Sequence, residues 1–332
     1  MPKVSSEVVK RYLSKFPHTP SYTLAKLIYK ENSELFTSPE VVRSGIRYWR
    51  GKSGKDSKKK LSSNEFLQKY KGLPNPFGHL PKGIKYLSET QTVKLEGSKF
   101  LILSDIHAPY HDEEALKTAL EYGQKQEIDH IILNGDICDC HAISSFQKDP
   151  REIDFQYEID TTRDILSAIR TGFPKAKITF KLGNHEDREI RYLQTKAPEL
   201  LGVEWLSFEN LLGLDELNIT LVGSLNPMKI GDHLYVIHGH EFGPISAPVN
   251  PARSYYMKAK ECLIAGHLHR SSEHGEKSIK GKIVQCWSTG CLCDDKPLYA
   301  PNNQWTLGFA TVDVKDSSFS VHNKKIINNN VV

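Results

Sequence analysis

"KFLILSDIH", residues 99–107, is a short apolar run that ends in a carboxylate and an imidazole, Asp105 and His107. Four further stretches repeat that design. "HIILNGDICD" (130–139) ends in Asp136 and Asp139, and "KITFKLGNHE" (177–186) in Asn184 and His185. "HLYVIHGHEF" (233–242) carries His238 and His240, and "ECLIAGHLHR" (261–270) carries His267 and His269. Each run has the length and apolarity of a buried strand. Ligands at the ends of sheet strands can converge on one crevice. Glycine stands next to the ligand in four of the five, as expected where the chain turns sharply beside a buried ion. Alternation along an extended chain predicts that the two imidazoles of "GHLH" point the same way.

Around these runs the rhythm is layered. "DEEALKTALEYGQK" (112–125) reads as an amphipathic helix, and a longer helical stretch separates the second and third runs. "GKIVQCWSTG" (281–290) and "WTLGFATVDV" (305–314) read as further strands. Strands alternate with helices early and pair as hairpins late, which predicts an α/β (α+β) layered fold. No internal repeat is present.

The first part of the chain differs in kind. Residues 1–95 carry 19 Lys/Arg against 7 Asp/Glu, a net of +12, while residues 96–332 carry 25 against 33, a net of −8. A basic third joined to an acidic body predicts two modules, the basic one facing a polyanion. Val8, Val9, Tyr12, Leu13 and Phe16 fall at helical spacing, as do Leu24, Leu27 and Ile28. In "TSPEVVRSGIRYWRG" (37–51) Ser38 suits an N-cap, Pro39 the first turn and Glu40 the helix dipole. That third helix has a predicted buried stripe of Val42, Ile46 and Trp49 and an arginine stripe of Arg43, Arg47 and Arg50. The arrangement is helix-turn-helix-like, and the three arginines are the candidate nucleic-acid contacts, with DNA as the expected partner. "GKSGKDSKKK" (51–60) reads as a flexible basic arm. The expected divisions are a small all-α domain over 1–60, a Pro/Gly-rich linker over 61–97, the main domain over 98–325 and a frayed tail over 326–332.

No run approaches the length of a membrane span, and the opening residues lack a secretory apolar core. The expectation is a reduced, cytoplasmic protein without a membrane partner. The six cysteines, including the pairs Cys138/Cys140 and Cys291/Cys293, are then mostly small core residues. Their spacing does not match a standard zinc pattern.

Taken in order, D-x-H, G-D-x-x-D, G-N-H-E, H and G-H-x-H over residues 105–269 are similar to the signature of calcineurin-like metallophosphoesterases. The resemblance covers the chain from about residue 98 onward. It implies two mixed β-sheets packed as a sandwich and flanked by helices, holding two divalent metals. By position, metal one takes Asp105, His107, Asp136 and His269. Metal two takes Asp136, Asn184, His238 and His267, with Asp136 bridging. His185 takes the role of general acid and Asp139 that of its orienting partner. With the arginine helix, "GNHEDREIRY" (183–192) and "WSTGCLCDD" (287–295), the chain looks like the phage-type branch of that superfamily.

The chemistry stands on its own terms. Two cations about 3.5–4 Å apart need a bridging carboxylate, and together they turn a shared water into hydroxide near neutral pH. The departing oxygen then needs a proton from an uncoordinated imidazole, whose other nitrogen a carboxylate fixes. Mixed nitrogen and oxygen donors suit Mn, Fe or Zn better than Mg, with Mn²⁺ the first choice. His240 and Arg188 are candidate substrate contacts, although Arg188 also fits an exposed helix with local pairing; His111 and His141 are further imidazoles near the site. After "GDICD" the chain reads "CHAISSF" and lacks the Arg-Gly of the protein serine/threonine phosphatases. The expected activity is that of a phosphodiesterase or nuclease on nucleic acid. A phosphatase or cyclic-nucleotide phosphodiesterase on small substrates is the alternative enzyme, and a non-catalytic DNA-binding or scaffold protein the alternative class.

Overall fold

A computed structural model describes residues 3–53, 75–83, 90–146, 154–245, 249–316 and 318–332. The chain divides into two compact units, Met1–Leu87 and Ser88–Val332. In the first, α1 (Lys3–Lys15), α2 (Ser21–Glu31) and α3 (Pro39–Trp49) enclose a core of Val9, Leu24, Ala25, Ile28, Phe36, Val42 and Ile46. Ser38 caps α3, its hydroxyl accepting from the Val41 N–H, with Pro39 in the first turn.

Two expectations for α3 need correction. Trp49 is exposed, with the Lys10 ammonium 4.2 Å from its ring centroid. Gly45 takes the buried place beside Val42 and Ile46, because one face of so short a helix is filled by the first two turns. Arg50 does not continue an arginine stripe. Its guanidinium donates to the carbonyls of Pro17 and Thr19 and to Ser21 Oγ, so it secures the turn between α1 and α2. Arg43 pairs with Glu40 and lies over Tyr22, and Arg47 is exposed. Most of the basic arm, residues 54–60, lies outside the described residues, as do 61–74 and 84–89 of the expected linker.

The second unit begins within the expected linker, since β1 (Val93–Leu95) pairs in parallel with β6 (Met228–Ile230). The remaining strands are β2 (Lys99–Leu103), β3 (His130–Asn134), β4 (Lys177–Lys181), β5 (Ile219–Val222), β7 (Leu234–Ile237), β8 (Cys262–Ala265), β9 (Ser272–Lys277), β10 (Ile283–Ser288), β11 (Gly308–Lys315), β12 (Ser318–Ile327) and β13 (Asn330–Val331). They form two sheets, in the orders β13-β12-β11-β2-β3-β4-β5 and β1-β6-β7-β8-β10-β9. Both sheets are mixed, with β2 to β5 parallel and β11 antiparallel to β2.

The period-two pleat of "KFLIL" explains the layering. Phe100 and Ile102 point between the sheets, where they meet Met228, Val236, Ile264, Trp287 and Val312. Leu101 and Leu103 point the other way, against helices Glu113–Lys125 and Phe155–Gly172, through Leu116, Ala119, Leu166 and Ile169. Helix Pro251–Ala259 covers the far face of the second sheet with Ala252 and Tyr255. The central strands β2, β3 and β4 are buried on both faces because helices or a second sheet cover each side.

The tail is also ordered. Asn328 and Asn329 both adopt positive φ, the conformation of a tight hairpin turn, and fold β13 back onto β12. Ile326 is buried and its N–H donates to the Leu307 carbonyl. The "IINNNVV" segment reads as frayed because its polar residues are turn residues.

Candidate metal centre and acid pair

The strand-end residues meet in one place. Four groups of donors lie close enough to share an ion: Asp105 with His107 and Asp136; Asp136 with His238 and His267; His107 with Asp139 and His185; and His107 with His269 and Cys293. Asp136 belongs to the first two, as a bridging residue must. His238 Nε2 stands 3.1 Å from Asp136 Oδ2, and His269 Nε2 stands 3.2 Å from Asp105 Oδ1. His107 Nε2 faces His269 Nε2 at 3.1 Å.

The tautomers follow from the partners on the far side of each ring. His238 Nδ1 lies 2.8 Å from the Asn134 carbonyl, which can only accept, so Nδ1 carries the proton and Nε2 presents a lone pair. His107 Nδ1 is held in the same way by Asp139 Oδ1 at 2.7 Å. Asn184 Oδ1 is buried with no hydrogen-bond partner, and so is His238 Nε2. Lone pairs turned toward one another and a buried carbonyl left unpaired are costly unless a cation joins them. The donors therefore fit divalent cations, with Asp136 common to two of the groups.

The backbone is strained to present these groups. Asp105, His107, Asp136, His267 and His269 all adopt φ between 52° and 69°, a left-handed conformation that residues with a Cβ rarely take. This overturns the extended reading of "GHLH". His267 joins His238, with ring centroids 5.1 Å apart, whereas His269 joins His107 at 5.0 Å. Gly266 precedes them because a Cβ there would lie 2.5 Å from Asp105 Oδ2, and one at Gly183 would lie 2.3 Å from Asp136 Oδ1.

His185 stands beside the donors. Its N–H donates to Asp136 Oδ1 at 2.9 Å, and its Nδ1 lies 3.0 Å from Asp139 Oδ1 and 2.9 Å from the Asp139 carbonyl. Burial would push the Asp139 carboxyl up, but hydrogen bonds from His107 and His185 hold it well below the usual carboxylate range. Burial would lower the His185 pKa, yet Asp136 and the bond to Asp139 raise it above the ordinary imidazole value. Arg188 is not the exposed helical residue its local pairing suggested. It is largely buried, with Nη1 donating to the Asp139 carbonyl at 2.7 Å and Nη2 3.0 Å from His185 Nε2. Arg191 is the exposed one, paired with Asp187.

His240 sits beside the second set, its ring centroid 5.4 Å from that of His238 and 6.3 Å from that of His267, with Nε2 4.0 Å from Asp187 Oδ2. His141 packs edge-on against Tyr110, and its N–H donates to Glu158. His111 lines a cleft with residues of helices Glu113–Lys125 and Phe155–Gly172. All six cysteines are free. Among the described residues no cluster gathers the four C-x-C thiols; Cys138 and Cys140 contact each other, and Cys293 Sγ lies 3.8 Å from His269 Nδ1.

Two positioning groups escaped the sequence reading. Glu186 is buried and accepts from the N–H groups of Asp136, Ile137, Cys138 and Gly183 at 2.7–3.0 Å. It thereby fixes both loops that carry Asp136 and Asn184. Burial and then the charge of Asp136 push its carboxyl up to about 7. Lys181 is fully buried, 3.1 Å from Glu241, and donates to the carbonyls of Gly223, Ser224 and Asn226. Glu241 in turn accepts from the N–H groups of His238 and Gly239.

Residues 98–275 match the family model for calcineurin-like phosphoesterases. The chain belongs to that family. It is therefore assigned to the phosphoesterases, a class of hydrolases. It is also similar to the Gene 54 protein of Mycobacterium phage L5, 27% identical over 232 residues that span 65% of this chain and 89% of that one. Among solved structures it resembles Vps29 from Entamoeba histolytica complexed with zinc, at 12% identity and a TM-score of 0.39 over 70% of this chain and 96% of that one. It also resembles Yfce, a phosphoesterase from E. coli, at 15% identity and a TM-score of 0.34 over 68% and 98%. Among the described residues no helix is long and apolar enough to cross a membrane.

Proposed function

We propose that the chain is a two-metal phosphodiesterase that cleaves nucleic acid, with manganese as the native ion and DNA as the partner of its N-terminal helices. The observation that carries the metal-dependent reading is the pair of buried donor sets sharing Asp136 beside an imidazole that belongs to neither. Two divalent cations held there would supply Lewis acidity and a nucleophilic water at neutral pH.

The protein's own groups do the rest. Asp139 holds Nδ1 of His185, which leaves Nε2 as the atom that gives its proton to the departing oxygen. Arg188 donates toward that same Nε2, so a bound phosphoester that draws the guanidinium onto its own oxygens frees Nε2 to carry the acid proton. His240 contacts substrate beside His238 and His267.

The nucleic-acid reading rests on charge. A +12 segment precedes an acidic catalytic unit, and a polyanion is the partner such a segment attracts. Assay with Mn²⁺ against DNA, cyclic dinucleotides, nucleotides and phosphopeptides is the test. Cleavage of DNA diesters is expected. Release of phosphate from monoesters alone would replace this reading with a phosphatase.

A further inference from the structure

Around His269, His185 and Arg188 the rim of the site is aromatic. Trp305 packs edge-on against His269, with centroids 4.2 Å apart, and Tyr299 stands 6.3 Å beyond it. Tyr299 is 81% exposed. Phe146 is 67% exposed, and the Arg188 guanidinium lies 5.8 Å from its ring centroid. Trp305 thus lies on the side of the site that holds His107, whose ring centroid is 5.0 Å from that of His269 and 4.4 Å from that of His185.

The segment that carries Tyr299 is anchored at both ends to the site. The Asp294 N–H donates to the Tyr110 carbonyl, and the Thr306 N–H donates to the His269 carbonyl, each at 2.8 Å. Between these anchors Asn303 bonds the carbonyls of Asp295 and Ala300. Tyr299 is thus held on an anchored segment and left facing water.

Phosphate oxygens are recognised by donors and cations; flat exposed rings recognise flat faces. Base-on-aromatic stacking is sequence-tolerant because every base has such a face. His185 stands on this side of the site, so a base stacked here would belong to the group that leaves on the oxygen it protonates. We infer that Tyr299, backed by Trp305, is a stacking subsite for the nucleobase on the leaving-group side of the cleaved phosphodiester. This rests on the nucleic-acid reading above and narrows it: the enzyme grips an unstacked base next to the bond it breaks.

The experiment uses the full chain with Mn²⁺ and the dinucleotide dTpdT. It is compared with two analogues in which a tetrahydrofuran abasic unit replaces the nucleoside on one side or the other. The products show which side leaves. Removing the leaving-side base should lower kcat/KM by about ten- to hundredfold, and removing the other base should cost far less. Tyr299→Ala should lose as much on dTpdT and nothing further on the leaving-side abasic analogue, while Tyr299→Phe keeps the wild-type preference. Tyr299 is exposed, so unchanged melting and metal content will show that the alanine variant is folded. Wild-type indifference to the leaving-side base, or a Tyr299→Ala variant equal to wild type on dTpdT, would overturn the subsite and leave the phosphodiesterase standing. Hydrolysis of p-nitrophenyl phosphate without cleavage of any dinucleotide would remove the nucleic-acid reading and the subsite with it.

Discussion

The two units of the chain hold their charged side chains under opposite constraints. In the second unit the candidate ligands are mostly buried, and three have a further partner that fixes them: Asn134 for His238, Asp139 for His107, and Glu186 for the loop of Asp136; Asp139 holds His185 as well. In the first unit the arginines of α3 and of its C-cap meet three different fates: a local ion pair, open solvent, and a clamp on neighbouring carbonyls. Burial makes a misplaced polar group expensive, so a motif of strand-end ligands leaves little freedom. A surface stripe costs almost nothing to rearrange. Periodicity there tells which side of the helix a residue occupies, and not what its long side chain will reach.

The sharpest way to break the first half of that contrast is Asp136→Ala. Because Asp136 belongs to both donor sets, the variant should lose both ions and turnover together. Metal analysis showing one ion retained at full occupancy would contradict a shared ligand. His185→Ala should behave differently, keeping two ions and losing about 10²- to 10⁴-fold in turnover. Its loss should be much smaller on a p-nitrophenyl ester, whose leaving group needs little protonation. Equal losses on both substrates would sink the acid role.

Much of the second unit was legible because its signals coincide. An apolar run, a glycine and a ligand at one strand end constrain each other, and "KFLILSDIH" could hardly be anything else. The three-residue strands β1 and β6 were missed because so short a segment carries no period, and the tail because "NNN" reads equally as fraying or as a hairpin turn. Glu186 and Lys181 were invisible for a different reason. Most of their partners are backbone groups more than forty residues away, and backbone groups leave no trace in side-chain pattern.

Glu186→Ala tests whether that invisible group matters as much as a ligand. Four backbone N–H groups would lose their acceptor, and the loop of Asp136 would no longer be held. Loss of such an outer partner typically weakens metal binding by about 10- to 100-fold. Chelator competition measures this directly, and unchanged affinity would show that the strained φ at Asp136 is maintained by other contacts.

The smallest effects are expected in the first unit, where they can separate arginines that the sequence treats alike. Each phosphate that is neutralised releases counterions, so log affinity for duplex DNA should fall with log salt by about 0.9 per contact. Arg47→Glu, and less strongly Arg43→Glu, should flatten that slope in the full chain, since Arg47 is exposed and Arg43 is partly neutralised by Glu40. Arg50→Ala should leave the slope within error. It should instead lower the stability of the helical unit by about 1–3 kcal/mol, because the Pro17 and Thr19 carbonyls lose a charged donor. None of the three should change hydrolysis of a small chromogenic ester. If Arg50→Ala flattens the slope as much as Arg47→Glu does, the clamp is not its role and the stripe acts as one surface. A slope absent from the wild-type chain would mean that the positive charge serves something other than DNA.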